Sequence, residues 1–393
     1  MNILVIGNGF DLAHGLPTKY SDFLNFLIAC KSYPEDTCRD SLHEDVWAYI
    51  KAANEDHLND LMQEILECLD DNVWYNYFCM QYQKKRLQRD HWIDFESEIK
   101  TIVEYFDRKI ENVHYGFKKE RGPEDYNIIQ NKAFYFCQGL DFTKFNKQHG
   151  ISSNNTNNDF IEKTYYDLQR IVRCLEIYLS DCVRQLPLAK CSPDIQKIKP
   201  NAILNFNYTD TYSKIYGQEL APEIHYIHGH AVPNRIIEEN DMVLGVNEYW
   251  EDDSRDKNTN FNLYKKFVQR LIKGTGVDYK KWLESISDNY EMQFQRLSNN
   301  LKKTHIIKGN VYIFGHSLDA TDQDVLREIM LTQGVRTIIF YRDKNQHAQQ
   351  IANLFRILGQ DKLLELAFSA DPAIIFKQQQ DMVPIKEPCL IPM

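Results

Sequence analysis

The sequence predicts an α/β protein. It should have a parallel, doubly wound sheet whose first strand is separated from the others by a large helical insertion. Three observations predict it. The chain opens on a short apolar run, Ile3-Leu4-Val5-Ile6, that goes directly into Gly7-Asn8-Gly9; buried strands of nucleotide-binding α/β folds run into a glycine turn in this way. Residues from about 40 to 190 then carry apolar side chains at helical spacing. Beyond residue 200, strand-like runs alternate with helical patterns, as successive β-α units do.

Residues 2–6 form the first expected strand. Residues 19–29 follow as an aromatic-rich helix with Tyr20, Phe23, Leu24, Phe26 and Leu27. Trp92, Phe95, Ile99, Ile102, Val103 and Phe106 repeat at helical spacing, and so do Leu168, Ile171, Val172, Leu175, Tyr178, Leu179 and Cys182. Between these stretches, residues 152–158 are a polar loop of Ser, Asn and Thr. Strand character returns at 202–207, 224–227, 242–246, 311–314, 335–341 and 373–376, and residues 252–300 read as loop plus helix. From Asp381 the prolines and the lack of periodicity predict an irregular tail. The expected division is a nucleotide-binding α/β domain at 1–30 plus 200–378, a helical insertion at 31–199, and a tail at 379–393.

Composition narrows the class. The chain has 393 residues, 43% of them hydrophobic and 12% aromatic, enough for a sizeable core. A net charge of −10 without any long Lys/Arg block argues against bulk binding to nucleic acid. No uncharged apolar run approaches the roughly 18 residues of a membrane helix, and the strand at residue 2 leaves no room for a targeting peptide, so a cytoplasmic protein is expected. The nine cysteines are scattered without C-x-x-C spacing, so reduced thiols are expected and a structural zinc site is not.

The glycine spacing is specific. A G-x-G-x-x-G fingerprint needs glycine where Leu12 stands, and no Gly-Lys-Ser/Thr tripeptide marks a P-loop. The pattern present is G-x-G-x5-G-Leu-Pro, from Gly7, Gly9, Gly15, Leu16 and Pro17. It resembles the first NAD-binding loop of the sirtuin fold. Three later segments lie at expected strand ends, where ligands of open parallel sheets bind: Asn205 to Thr209, His225 to His230, and Phe314 to Asp319. Asn207, then His228-Gly229 twenty-one residues on, then Gly315-His316-Ser317-Leu318 follow the order of sirtuin motifs. The expected sheet is therefore Rossmann-like and sirtuin-like. The chain as a whole looks like a member of the bacterial abortive-infection AbiH family, through GNGFDLAHGLPTKYSDF, Trp92-x-Asp94-x-Glu96, NFNYTDTY, IHGH and FGHSLDATD.

The resemblance implies chemistry at these residues. Release of nicotinamide from NAD passes through an oxocarbenium-like sugar, as glycoside hydrolysis does. Asn207 would contact the nicotinamide ribose and position water. His228 would be the base, a role suited to imidazole. Gly7, Asn8, Gly9, Phe10, Asp11, Gly15, Pro17, Gly229, Gly315, His316 and Ser317 would line the nucleotide site, with Gly7 and Gly9 admitting the pyrophosphate and Ser317 bonding a ribose hydroxyl or phosphate. The sirtuin loop carries Ser where this chain has Asp11, and Asp where it has Thr209, so the identity of the nucleotide stays open. Protein deacylation is not expected.

Plainer roles stand beside these. Asn205 and Asn207 suit Asx turns, and a lone histidine suits a structural role. His225, His228 and His230 could be a metal site, though no carboxylate lies at ligand spacing. Thr321 could cap a helix starting at Asp322, with Asp324 completing a capping box, and Asp94 and Glu96 suit an acidic first turn. The expected function is an antiphage effector, an NAD glycohydrolase acting on NAD or a related nucleotide without a metal. The alternative is a non-catalytic module that senses a nucleotide or ADP-ribose, and a metal-dependent nuclease is a third. The expected partner is a small-molecule nucleotide, with no membrane; a homo-oligomer or a phage-derived trigger stays open.

Overall fold

The computed structural model describes residues 1–32, 55–87, 93–110, 123–140, 157–217, 221–247, 259–298, 307–369 and 371–385. Trp92, Cys38, Cys389 and most of the polar loop at 152–158 lie outside them. The chain divides into two compact units: Met1–Thr18 with Pro187–His230 and Thr275–Met393, and Lys19–Leu186 with Ala231–Gly274.

The first unit is built on strands β1 (Asn2–Ile6), β2 (Lys190–Cys191), β3 (Ala202–Asn205), β4 (Glu223–Tyr226), β5 (Gly309–Phe314), β6 (Val335–Tyr341), β7 (Ile374–Gln378) and β8 (Val383–Pro384). Six of them form one sheet in the order β4-β3-β1-β5-β6-β7, and every pairing is parallel. The expected parallel α/β sheet is therefore present, with β1 between β3 and β5. The winding runs outward from β1 to β4, then returns to β5 and runs the other way. Such a reversal opens a crevice at the carboxyl ends of the two central strands.

Burial on both faces explains why the central strands β1 and β3 are largely apolar. Ile3, Val5, Ala202, Leu204, Val311 and Ile313 pack on one face with residues of the helices at 278–298, 323–331 and 344–358. Leu4, Ile6, Ile203 and Phe314 pack on the other with Phe10, Ile195 and Tyr212. A strand covered on both faces has no solvent side for polar residues. The register aligns Ile6 with Asn205 and Phe314, and Asn205 with Tyr226. The first residues beyond the sheet are thus Gly7, Phe206, Ile227 and Gly315, all at one level.

Two expectations are corrected. Residues 242–246 are no strand of the sheet; they belong to the second unit, and their β-pairing is an isolated bridge, Val246 with Lys265. The run is apolar because it is buried. At its centre a side chain satisfies the backbone: Leu244 N–H donates to Gln269 Oε1 (3.1 Å), and Gln269 Nε2 donates to the Leu244 carbonyl (3.0 Å). The tail is also less irregular than expected, since Val383–Pro384 pairs antiparallel with Lys190–Cys191.

The second unit is mainly helical. Its helices at 73–87 and 95–110 meet through Phe78 stacked on Phe95 at 3.9 Å, and Trp74 Nε1 donates to the Thr164 carbonyl of the helix Asn157–Ile177 (2.8 Å). Asp94 takes the N-terminal role foreseen for it, accepting from Glu96 N–H and Ser97 Oγ. Glu96 reaches the buried Lys266 at 2.8 Å. Among the described residues no helix is long and apolar enough to cross a membrane.

Candidate functional site

The four strand ends bring together side chains that are far apart in sequence. The two glycine loops fit against each other first. Gly9 N–H donates to the Gly315 carbonyl at 2.7 Å, and Gly7 N–H to the Phe314 carbonyl at 3.2 Å. A Cβ on Gly9 would lie 2.8 Å from the Gly315 oxygen, and one on Gly7 would lie 2.8 Å from His316 Cα. Gly315 has φ +70°, and its Cβ would fall 2.1 Å from Phe10 N. Glycine is required here by backbone contact between the β1 and β5 loops. Gly15, at φ +88° in open space, is different: it ends the helix Asn8–Ala13, its N–H bonding the Leu12 carbonyl.

Asp11 sits one turn into that helix and is buried. Thr209 Oγ1 donates to its Oδ2 at 2.6 Å, and Thr211 Oγ1 donates in turn to Thr209 Oγ1. Its Oδ1 is buried without a hydrogen-bond partner among the described residues. Burial pushes the carboxyl up to about 6, against the opposing pull of the threonine hydroxyls. Asp11 is thus tied by a hydroxyl rather than bare.

The β3 end is a folded turn. Asn205 Oδ1 accepts from Asn207 N–H at 2.8 Å, an Asx turn, and Asn205 Nδ2 donates to the Thr209 carbonyl. The plainer role holds for Asn205. Asn207 does something else: its Nδ2 donates to the Gly7 carbonyl at 3.0 Å, which pins the β3 end to the first glycine loop. On that loop Asn8 is exposed and accepts from Thr18 Oγ1 at 2.5 Å.

The three histidines after β3 go to three different partners. His225 Nε2 donates to the Thr275 carbonyl at 2.9 Å, and the ring stacks on Tyr279. His230 stacks on Tyr226 at 4.6 Å. His228 Nε2 lies 3.1 Å from Asp322 Oδ1. Among the described residues no group of His, Cys, Asp or Glu is arranged to hold a metal ion.

His316 shares the same carboxylate. Its Nε2 lies 3.5 Å from Asp322 Oδ2, and its Nδ1 accepts from Leu318 N–H at 2.9 Å. The Phe206 ring stands edge-on to both imidazoles, at 5.5 Å from His228 and 4.5 Å from His316. Both histidines are buried. Ser317 is exposed, while its carbonyl accepts from Asn353 Nδ2. The expected cap at Thr321 is not made; Asp319 instead accepts from Thr321 N–H at 2.9 Å, and Asp322 makes no side-chain capping bond to the helix Gln323–Leu331.

Asp322 was missed by sequence reasoning as a partner of the histidines. The signal lay in the segment FGHSLDATD, whose last residue it is. His14 was passed over too, and it is structural. Its Nδ1 donates to the Phe10 carbonyl (2.7 Å) and its Nε2 accepts from Tyr216 OH (2.8 Å). Burial lowers its pKa, as expected of an imidazole kept neutral.

Against known proteins, the family model described as Bacteriophage abortive infection AbiH matches residues 3–341. No curated protein and no solved structure matches the chain.

Proposed function

The chain belongs to the bacteriophage abortive infection AbiH family, and on that premise we propose that it serves phage defence by hydrolysing the nicotinamide–ribose bond of NAD or a related nucleotide. The observation that carries this reading is the buried His228, hydrogen-bonded to Asp322 at the carboxyl edge of a parallel sheet. An imidazole backed by a carboxylate is the arrangement of a general base. In the proposed step a water oxygen bonds to the ribose anomeric carbon as the bond to nicotinamide breaks. The pyridinium nitrogen keeps the electron pair and leaves neutral, and His228 takes the water proton. Asn207, with Nδ2 on the Gly7 carbonyl, has its Oδ1 to orient that water, an effect of geometry.

The strand order supports a nucleotide ligand. Numbered within the large sheet it is 3-2-1-4-5-6, that of the Rossmann fold. The chain departs from the sirtuin pattern at two residues that meet in the fold. Sirtuins carry a hydroxyl where this chain has Asp11 and a carboxylate where it has Thr209. Here the two groups have changed places and hydrogen-bond each other.

A second reading is favoured by the glycine loops. Gly7 and Gly9 commit their N–H groups to the β5 loop, so they offer nothing to a pyrophosphate. A module that binds a nucleotide or ADP-ribose without turnover would need only the crevice. One experiment separates the two: purified protein is incubated with NAD, and free nicotinamide is measured. Loss of a general base costs about 10²–10⁴-fold. His228→Ala and Asn207→Ala should each remove most of the release. Equal rates in wild type and His228→Ala would remove this histidine from the mechanism and leave the binding module.

A further inference from the structure

We propose that Asp322 is a positioning residue that fixes the proton of His228 on Nε2, so that the atom taking a proton in the reaction is Nδ1. The inference rests on the reading of His228 as the base, and it begins from donor and acceptor chemistry. An ionised carboxylate only accepts. A nitrogen 3.1 Å from Asp322 Oδ1 must therefore carry the hydrogen, and that nitrogen is His228 Nε2. Neutral imidazole has one N–H, so the basic nitrogen of His228 is Nδ1.

The second imidazole strengthens the assignment. His316 Nδ1 accepts the Leu318 N–H at 2.9 Å, so its lone pair is there and its own proton is on Nε2. That nitrogen is 3.5 Å from Asp322 Oδ2. Both rings thus turn an N–H toward one carboxylate, an oxygen for each. Leu318, which makes this bond, stands at φ +58°. A branched side chain rarely adopts that left-handed backbone, and the fold imposes it at this place.

The plain alternative is that Asp322 caps a helix. It occupies the N-cap position of Gln323–Leu331, yet its carboxylate makes no capping bond. Asp319 caps the preceding turn instead. The Asp322 side chain is turned to the imidazoles, whose rings meet the edge of Phe206 and are buried. In such surroundings a charge-assisted hydrogen bond is stronger than in water. The carboxylate then both sets the tautomer and stabilises the imidazolium that forms when Nδ1 takes a proton.

The test uses the full chain with ¹⁵N-labelled histidine. Long-range proton–nitrogen correlation reads which nitrogen of each ring is protonated, and His228→Ala and His316→Ala assign the signals. Wild type should show both neutral rings protonated on Nε2. In Asp322→Asn the His228 population should move toward the Nδ1–H form, and nicotinamide release should fall about 10²–10⁴-fold with little change in KM. Asp322→Glu keeps a carboxylate and should retain the wild-type tautomer; it serves where the asparagine variant fails to fold. His228 protonated on Nδ1 in wild type, or an unchanged tautomer in a folded Asp322→Asn, overturns the inference. The tautomer reading decides it even if wild type releases no nicotinamide, a result that would sink the catalytic reading alone.

Discussion

Gly315→Ala tests whether the two central loops are one packed unit. The perturbation is a single methyl group at φ +70°. Two costs follow from the geometry. Left-handed backbone costs an alanine about 1–2 kcal/mol that glycine escapes. The new Cβ would also stand 2.1 Å from Phe10 N and 2.5 Å from Gly9 C, both backbone atoms that cannot swing aside. Relief requires the β1 loop to move, and overpacking of this kind costs about 1–3 kcal/mol. The movement breaks the Gly9–Gly315 hydrogen bond, at roughly 1 kcal/mol. The total is about 3–6 kcal/mol, a large share of the 5–15 kcal/mol that typically holds a domain. Gly15→Ala is the matched control. It has φ +88° with no atom within 4 Å of the added Cβ, so only the backbone cost of about 1–2 kcal/mol remains. Urea denaturation of the full chain followed by circular dichroism compares the two through their midpoints. If Gly315→Ala costs no more than Gly15→Ala, the loop-against-loop account of these glycines is wrong.

Three other outcomes are expected. Asp11 titrates at about 6 in the fold because burial disfavours its charge; its folded value lies above its unfolded one, so its contribution is full below about pH 4 and lost as pH rises through about 6, worth roughly 3 kcal/mol. Asp11→Asn should flatten this part of the stability profile, and identical urea midpoints against pH in both proteins would refute the assignment. Gln269→Leu strips the partners from Leu244 N–H and from the Leu244 and Leu263 carbonyls; at about 1–3 kcal/mol per buried unsatisfied group, the thermal melt should drop sharply, and a drop no larger than that of an exposed control such as Leu271→Ala counts against it. Ser317→Ala alters an exposed hydroxyl, so it should leave the melt unchanged and raise KM for NAD without lowering kcat; a fall in kcat alone would contradict a role confined to binding.

Much of the sheet was legible because its signals are local. Ile3 to Ile6 is an uninterrupted apolar run stopped by glycine, and 335–341 is strand over its full expected length. Parallel pairing followed from the alternation of strands and helices. What stayed hidden depends on distant partners. Residues 242–246 look like a buried strand, and only the chain's return at Gln269 shows that a side chain does the work of a neighbouring strand. The pairing of Val383–Pro384 with Lys190–Cys191 is equally non-local. At the candidate site, the residues at strand ends were readable from sequence order, but their partners were not. The Asn207 amide meets the Gly7 carbonyl across 200 positions, and Asp322 meets His228 across 94. Asp322 itself looked like an ordinary helix start, since Asp at that position suits the helix dipole as well as it suits an imidazole.

The glycines teach a narrower lesson about motif reading. A glycine after a buried strand permits two things, approach of a phosphate or approach of another loop. Sequence cannot separate them, because each asks only that a Cβ be missing. Hydrogen bonding separates them. Gly9 N–H bonds the Gly315 carbonyl, Gly7 N–H bonds the Phe314 carbonyl, and the Gly7 carbonyl takes Phe10 N–H and Asn207 Nδ2. An anion placed on the Gly7 or Gly9 amides would have to break bonds that hold the β1 and β5 ends together. Glycine-loop capture of a phosphate is therefore disfavoured here, whatever the ligand. Recognition of a nucleotide would fall to side chains on the same loops, where Asn8 and Ser317 are the exposed polar residues. Under the proposed reading, that would shift the weight of the site from phosphate to ribose, and Asn207, His228 and the Asp322 carboxylate would carry it.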